Sequence, residues 1–217
     1  MTAVSPRRRG RPALADLPAA PDAALLDRAL EAFAERGFEG ASVREIAREA
    51  GVSHGLLGAR FGSKLALWTA AVEHGMDRLH SRMVRLQTSL PADAGVEERM
   101  RAACVDFLET VAEYPAIVQL MNVEGARASE RLDYIVATFF RGRRWPFTEL
   151  LAEGQARGIF REMHVSVPFT LLAHGAGALV ALRPLVAAVD RRLRSEPEAI
   201  AHTIASAAEL IVRGLKV

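Results

Sequence analysis

From Asp22 to the end of the chain, apolar residues return every three or four positions, and glycine or proline separates the runs they form. That period is helical rather than extended, and it predicts an all-α fold. In the first run Leu26, Ala29, Leu30 and Phe33 share one face of an amphipathic helix. Gly37 stops it, and Phe38 is placed to fold back over the end. Ser42 and Glu45 have the spacing of a capping box, opening a short helix whose apolar face is Val43, Ile46, Ala47 and Ala50. Gly51 ends that helix. Ser53 caps a third that runs to Phe61, with Leu57 and Phe61 on its buried side, and Ser63 caps a long fourth from Lys64 to about residue 89. Further helices are predicted over 96–113, 116–126, 132–157 (kinked at Pro146 and capped by Gly158), 168–194 and 198–215. The sum is about nine helices, with no period-2 strand pattern and no internal repeat.

Composition narrows the function classes. Half of the 217 residues are hydrophobic and 25% are charged, enough to bury a core. The net charge is only 28 − 26 = +2, but Arg7, Arg8, Arg9 and Arg11 precede any acid, in a stretch that also holds Pro6, Pro12, Pro18 and Pro21. Residues 1–21 read as a flexible basic arm, either a nucleic-acid contact or a solvated tail. The longest apolar stretch, 165–189, is cut by Pro168, His174, Arg183 and Pro184, so no bilayer span is expected, and no secretion signal precedes the first helix. A cytoplasmic protein is the expectation. Cys104 is the sole cysteine, which excludes an internal disulfide and a cysteine-built metal site. The six histidines form no H-x-x-x-H or H-E-x-x-H pair, and there is no phosphate-cradling glycine loop or nucleophile elbow. Neither an enzyme nor a bound cofactor or metal is therefore expected. An all-helical enzyme or a helical adaptor is the alternative class, and an adaptor would not retain duplex DNA in a salt-sensitive way.

Residues 42–61 read as two short helices joined by the turn Ala50-Gly51-Val52-Ser53, a helix-turn-helix or an ordinary helical hairpin. Two features favour the first: the basic arm, and the wording of Leu25 to Val72, LLDRALEAFAERGFEGASVREIAREAGVSHGLLGARFGSKLALWTAAV. This stretch resembles the TetR (tetracycline-repressor) family of transcription regulators. It carries the family's A-x-x-x-F-x-x-x-G (Ala29, Phe33, Gly37), then S-V-R-x-I-A-x-x-A-G-V-S from Ser42, then F-x-S-K-x-x-L from Phe61. LLAEGQARGIFR, Leu150 to Arg161, is similar to the end of the family's seventh helix. The resemblance implies a DNA-binding domain over residues 22–66 and a ligand-binding and dimerisation domain over 67–217. It also implies a homodimer on a near-palindromic operator, repressing until a small-molecule effector binds. In one departure, Gly58 stands where the family commonly has a tyrosine that touches phosphate, and Gly55 lies in the same helix. Each glycine costs about 1 kcal/mol of helix propensity.

Under that resemblance Ser53, His54, Gly55 and Leu56 open the recognition helix, where His54 and Leu56 reach base edges. Arg60 contacts phosphate or guanine, while Ser42, Arg44 and Lys64 at helix N-termini position the backbone. Arg8, Arg9 and Arg11, in the sequence R-R-G-R-P, suit a narrow minor groove. Phe107, Met121, Tyr134, Phe139, Trp145, Phe169 and His174 are candidate effector-lining groups, and each also reads as plain core, His174 as a satisfied core histidine. Few charges cluster there, which favours an apolar or aromatic effector. The apolar helices over 168–189 and 198–215, with the small run Ala173, Gly175, Ala176, Gly177 and Ala178, suit either an intersubunit four-helix bundle or burial within one subunit.

Overall fold

The computed structural model describes residues 23–91, 93–189 and 196–217. The basic arm, with Arg8, Arg9 and Arg11, lies outside the described residues, as does the expected end of a helix at Arg194. Helices make up most of the described residues, and the sole strand-like pairing among these is an isolated antiparallel bridge between Phe160 and Lys216. Helix α1 (Ala23–Gly40) buries Leu25, Leu26, Ala29, Leu30 and Phe33, and its helical geometry breaks at Gly37. Phe38 turns back as expected, stacking on Phe33 at 6.0 Å and meeting Trp68 edge-on at 6.4 Å. Helix α2 (Val43–Glu49) packs on α1, and α3 (His54–Phe61) packs on α2 and on the helix that follows it, with Ile46, Ala47 and Leu57 buried. The long α4 (Lys64–Ser89) then runs without interruption past residue 66, where the two domains were expected to divide.

One expected cap is absent. Ser42 occupies the N-cap position of α2, but its side chain makes no cap bond. Glu45 instead accepts from Arg36 at 3.3 Å, and Arg36 also holds Glu49 at 2.9 Å. The guanidinium of α1 draws the Glu45 carboxylate away from the Ser42 amide, so that a bond to a neutral donor is replaced by one between two charged partners.

The body contains α5 (Val96–Glu113), α6 (Ala116–Gly125), α7 (Glu130–Ile135), α8 (Pro146–Ala156), α9 (Ser166–Thr170), α10 (Gly177–Ala181), α11 (Arg183–Val189) and α12 (Pro197–Leu215). The helix expected over 132–157 is two helices. After α7 the chain widens into a π-helical stretch, Val136–Arg141, then breaks, and Pro146 starts α8 at its first turn instead of kinking a continuous helix. The helix expected from 168 is likewise divided: a π-helical stretch, Leu171–Ala176, joins α9 to α10, and the backbone leaves the helix at Leu182, two residues before Pro184.

Helix α5 is the hub, packing on α4, α8, α10 and α12 through Met100, Ala103, Phe107, Leu108 and Val111. Cys104 sits on this face, and burial pushes its thiol up to about 12. That environment fits a structural thiol and not a redox sensor. Helix α1 packs on α4 and α6, so the small head rests directly on the body.

The LLAEGQARGIFR motif has a packing explanation. A Cβ placed on Gly154 would lie 2.0 Å from Cδ2 of Phe160, whose ring is 1% exposed. The α8 backbone is therefore in contact with an immobile aromatic plug, and the neighbouring amides of Ile159 and Phe160 both donate to the Gly154 carbonyl. Gly154→Ala is expected to lower unfolding free energy by about 1–3 kcal/mol through overpacking. Equilibrium denaturation checks this, and unchanged stability contradicts the close approach.

Candidate nucleic-acid interface and apolar cavity

Helix α2, its turn and α3 form a helix-turn-helix. Gly51 takes φ +69°, a conformation that glycine adopts without strain, and this tightens the turn. The Val52 amide donates to the Ala47 carbonyl at 2.9 Å, and the Ser53 hydroxyl accepts from the Leu56 amide at 3.1 Å, capping α3 as its sequence predicts. With Ile46, Ala47 and Leu57 turned inward, the opposite side of the pair is left to solvent. Arg44, Ser53, His54 and Gly55 are exposed, and Ser42, Leu56, Arg60 and Lys64 are half-buried. The residues selected from the sequence outside the arm thus lie on the motif or at the adjoining start of α4. Arg48, exposed one turn after Arg44, belongs with them and went unselected, although its i+4 spacing from Arg44 signals a shared face.

Charge on this surface is sorted by Arg36. Its bonds to Glu45 and Glu49 occupy both acids of α2, and the Arg36 hydrogen bond holds the Glu49 carboxyl below its ordinary value. Arg44 and Arg48 are left to set the outward potential of the helix. Lys64 at the start of α4 donates to the Glu39 carbonyl at 3.1 Å and lies 4.8 Å from the Phe38 ring centroid.

Residues 25–71 match the family model described as bacterial regulatory proteins, tetR family. The match covers the head of the chain, α1 to the first turns of α4. It is similar to an HTH-type transcriptional activator, FasR, of Mycolicibacterium smegmatis, with 36% identity over 87 residues, 40% of this chain and 38% of that one. It is also similar to an HTH-type transcriptional repressor, Rv3405c, of Mycobacterium tuberculosis, with 40% identity over 72 residues, 33% of this chain and 36% of that one. The chain thus aligns with under two fifths of the length of these two relatives. The fold likeness extends further. The ketosteroid transcriptional regulator KstR2 of Mycobacterium tuberculosis superposes with TM-score 0.65 at 22% identity, covering 89% of this chain and 93% of that one. HlyIIR, a hemolysin II transcriptional regulator, gives TM-score 0.60 at 23% identity over 89% and 96%. The head that matches the tetR model is thus joined to a body that shares the fold of these two structures.

That body holds an apolar cavity of about 160 Å³. Its walls come from α4 (Met76, Leu79, Met83), α5 (Phe107), α6 (Ile117, Val118, Met121), α7 (Leu132, Ile135), α8 (Phe147) and the segment around Phe169. Five of the seven candidate lining residues are there: Phe107, Met121, Trp145, Phe169 and His174. Tyr134 and Phe139 are not. The Tyr134 hydroxyl donates to Glu73 at 2.6 Å, its ring meets Trp68 edge-on, and burial followed by the Glu73 bond pushes the phenol up to about 12. Phe139 is wholly buried, and its carbonyl accepts the Trp145 indole N–H at 2.7 Å. The π-helical stretch explains the slip: Ile135 and Phe140, five residues apart, both line the cavity, where α-helical spacing would have brought Phe139. His174 is not a core histidine. It is an exposed residue of the cavity lining, with its Nδ1 bonded to Asn122 Oδ1. Outside the cavity, α12 and the segment from Val167 to Leu179 bound a shallow apolar groove, with Leu210 73% and Leu171 59% exposed.

Helix α3, eight residues long, carries two glycines. A Cβ on Gly55 or Gly58 would meet nothing within 4 Å, so neither glycine is required by packing. Gly58→Ala is expected to raise head stability by about 0.5–1 kcal/mol. Hydrogen exchange of the 54–61 amides reads this directly, and faster exchange in the variant contradicts it.

Proposed function

We propose that the protein is an effector-responsive repressor: a homodimer that binds a near-palindromic duplex site through two copies of α3 and leaves it when a small apolar molecule fills the cavity. The observation that carries this reading is the exposed face of the tetR helix-turn-helix, where His54 and Leu56 open α3 and Arg44, Arg60 and Lys64 surround it. Helix α3 would lie in the major groove, His54 and Leu56 at base edges, with Ser42, Ser53, Gly55 and the cations along the phosphates. The basic arm, Arg8, Arg9 and Arg11, would enter the adjacent minor groove. A protein seated on its operator keeps other proteins off it, which is repression in its simplest form. No helix among the described residues is long and apolar enough to cross a membrane, which fits action on cytoplasmic DNA.

The apolar groove between α12 and the 167–179 segment supports the dimer. Val167, Leu171 and Leu210 are more than half exposed on one face, the kind of patch a second copy covers. Gly175 and Ala176 lie in the same groove and permit close approach. Duplexes selected from random DNA should be bound by the full chain with half-sites at or near one helical turn, ~34–36 Å, and with affinity falling steeply as salt rises. The variant L171E/L210E should sediment as a monomer and lose most of that affinity. A dimeric, fully active variant, or a wild type that retains no duplex, contradicts the reading.

The cavity supports an uncharged effector. A 150 Å³ apolar cavity accepts a molecule the size of benzene, so about one aromatic ring, or a slightly larger flexible molecule if the Met76, Met83 and Met121 side chains yield, fits here. In a thermal-shift screen uncharged aromatic compounds should stabilise the protein, by roughly 2.7 kcal/mol at a hundredfold excess over Kd. Stabilisation by highly charged compounds alone contradicts this.

A further inference from the structure

We propose that Arg131 is a positioning residue for the DNA contact of Lys64 and that it transmits the state of the cavity to that contact. The inference rests on the DNA-binding reading above. Arg131 stands in the first turn of α7, and its guanidinium engages three separate groups. Its Nε lies 3.0 Å from both Oε1 and Oε2 of Glu124, near the end of α6. Its Cζ lies 4.3 Å from the Phe38 ring centroid, and Nη1 lies 3.7 Å from the Glu39 carboxylate. Lys64 meets the same two residues: its ammonium is 4.8 Å from the Phe38 centroid and donates to the Glu39 carbonyl at 3.1 Å. One aromatic ring therefore attracts two cations, Arg131 from the body and Lys64 from the start of α4.

Burial makes this junction stiff. The Glu124 side chain is only 4% exposed, so its carboxylate needs Arg131 as partner, and Arg131 is fixed in return. Both ends of that ion pair adjoin the cavity. Gly125, next to Glu124, and Leu132, next to Arg131, line it, as does Met121 one turn earlier on α6. A molecule that spreads α6 from α7 must strain the pair. Arg131 also attracts the Glu39 carboxylate, whose side chain is 87% exposed. Without the guanidinium that carboxylate is released beside the Lys64 ammonium, where it competes with phosphate. The direction follows: loosening Arg131 weakens DNA binding, which is the direction an effector requires.

The test measures affinity of the full-length protein for a duplex selected from random DNA, by fluorescence anisotropy over a range of salt, for wild type, K64M, R131M, E124Q and the double variants. K64M and R131M should each weaken binding by about fivefold and lower the salt slope by about one, while K64M/R131M should be no weaker than K64M alone. E124Q should reproduce R131M and add nothing to it. R131K keeps the charge but loses the planar fork that spans Glu124 and the ring, and should show the same loss if R131M fails to fold. Wild-type affinity and slope in the Arg131 variants, or losses that multiply in the double variant, overturn the positioning role. Wild-type behaviour of E124Q overturns the link to the cavity. A wild type that binds no duplex defeats the DNA-binding reading itself, an outcome distinct from multiplying losses in a protein that binds.

Discussion

A single helix belongs to both halves of the molecule. Helix α4 is 26 residues long, about 39 Å, and its first turns carry Lys64 and Trp68 while its middle turns carry Met76, Leu79 and Met83 into the cavity wall. Its contact with α1 is close: a Cβ on Gly75 would meet Leu30 Cδ2 at 2.7 Å. The head is therefore carried by a rod that also walls the cavity. Close-packed helices shift as units, so this rod is the direct mechanical route from wall to head that the proposed release requires.

Polar contacts run along the length of that rod, with Glu73 accepting from the Tyr134 hydroxyl and Asp27 of α1 holding His74 and Arg78 in its middle turns. At the junction, Arg131, Phe38 and Lys64 join α7, α1 and α4. Further along, Arg82 ties α4 to α5 through Asp106 at 2.7 Å and Glu113 at 2.8 Å. Between those two points the inner side of the rod faces the cavity through Met76 and Leu79. The head, by contrast, has a firm interior, with Phe33, Ile46, Leu57 and Trp68 each at most 1% exposed, while Gly55 and Gly58 lower the helix propensity of α3. Rigid placement of a locally soft reading element suits a protein that orders its contacts as it binds.

Much of this was legible in the sequence because it is local. Ser53 and Ser63 cap the helices they precede, Gly37 and Gly51 mark the breaks, and the inward faces follow the 3.6-residue period. The failures come where tertiary partners override local chemistry. Ser42 and Glu45 have capping-box spacing, but Arg36, distant in sequence, takes the carboxylate. Tyr134 and Phe139 are large side chains that suit a cavity wall or plain core, and a π-helical stretch puts Phe140 in the wall in place of Phe139. His174, placed in the core from its apolar neighbours, is exposed in a segment whose helix also widens. Arg131 had no sequence signal, since its importance arises only where α6, α7 and the end of α1 meet.

The central claim is that α3 and its flanks form the surface that closes on duplex DNA. The most direct measurement is amide hydrogen exchange of the full-length protein with and without a selected duplex. The account predicts that slowing concentrates in residues 53–61, with a smaller effect at the start of α2, because the two-glycine helix is held only when it lies in the groove. Unchanged exchange there, with protection confined to the body helices, would contradict it.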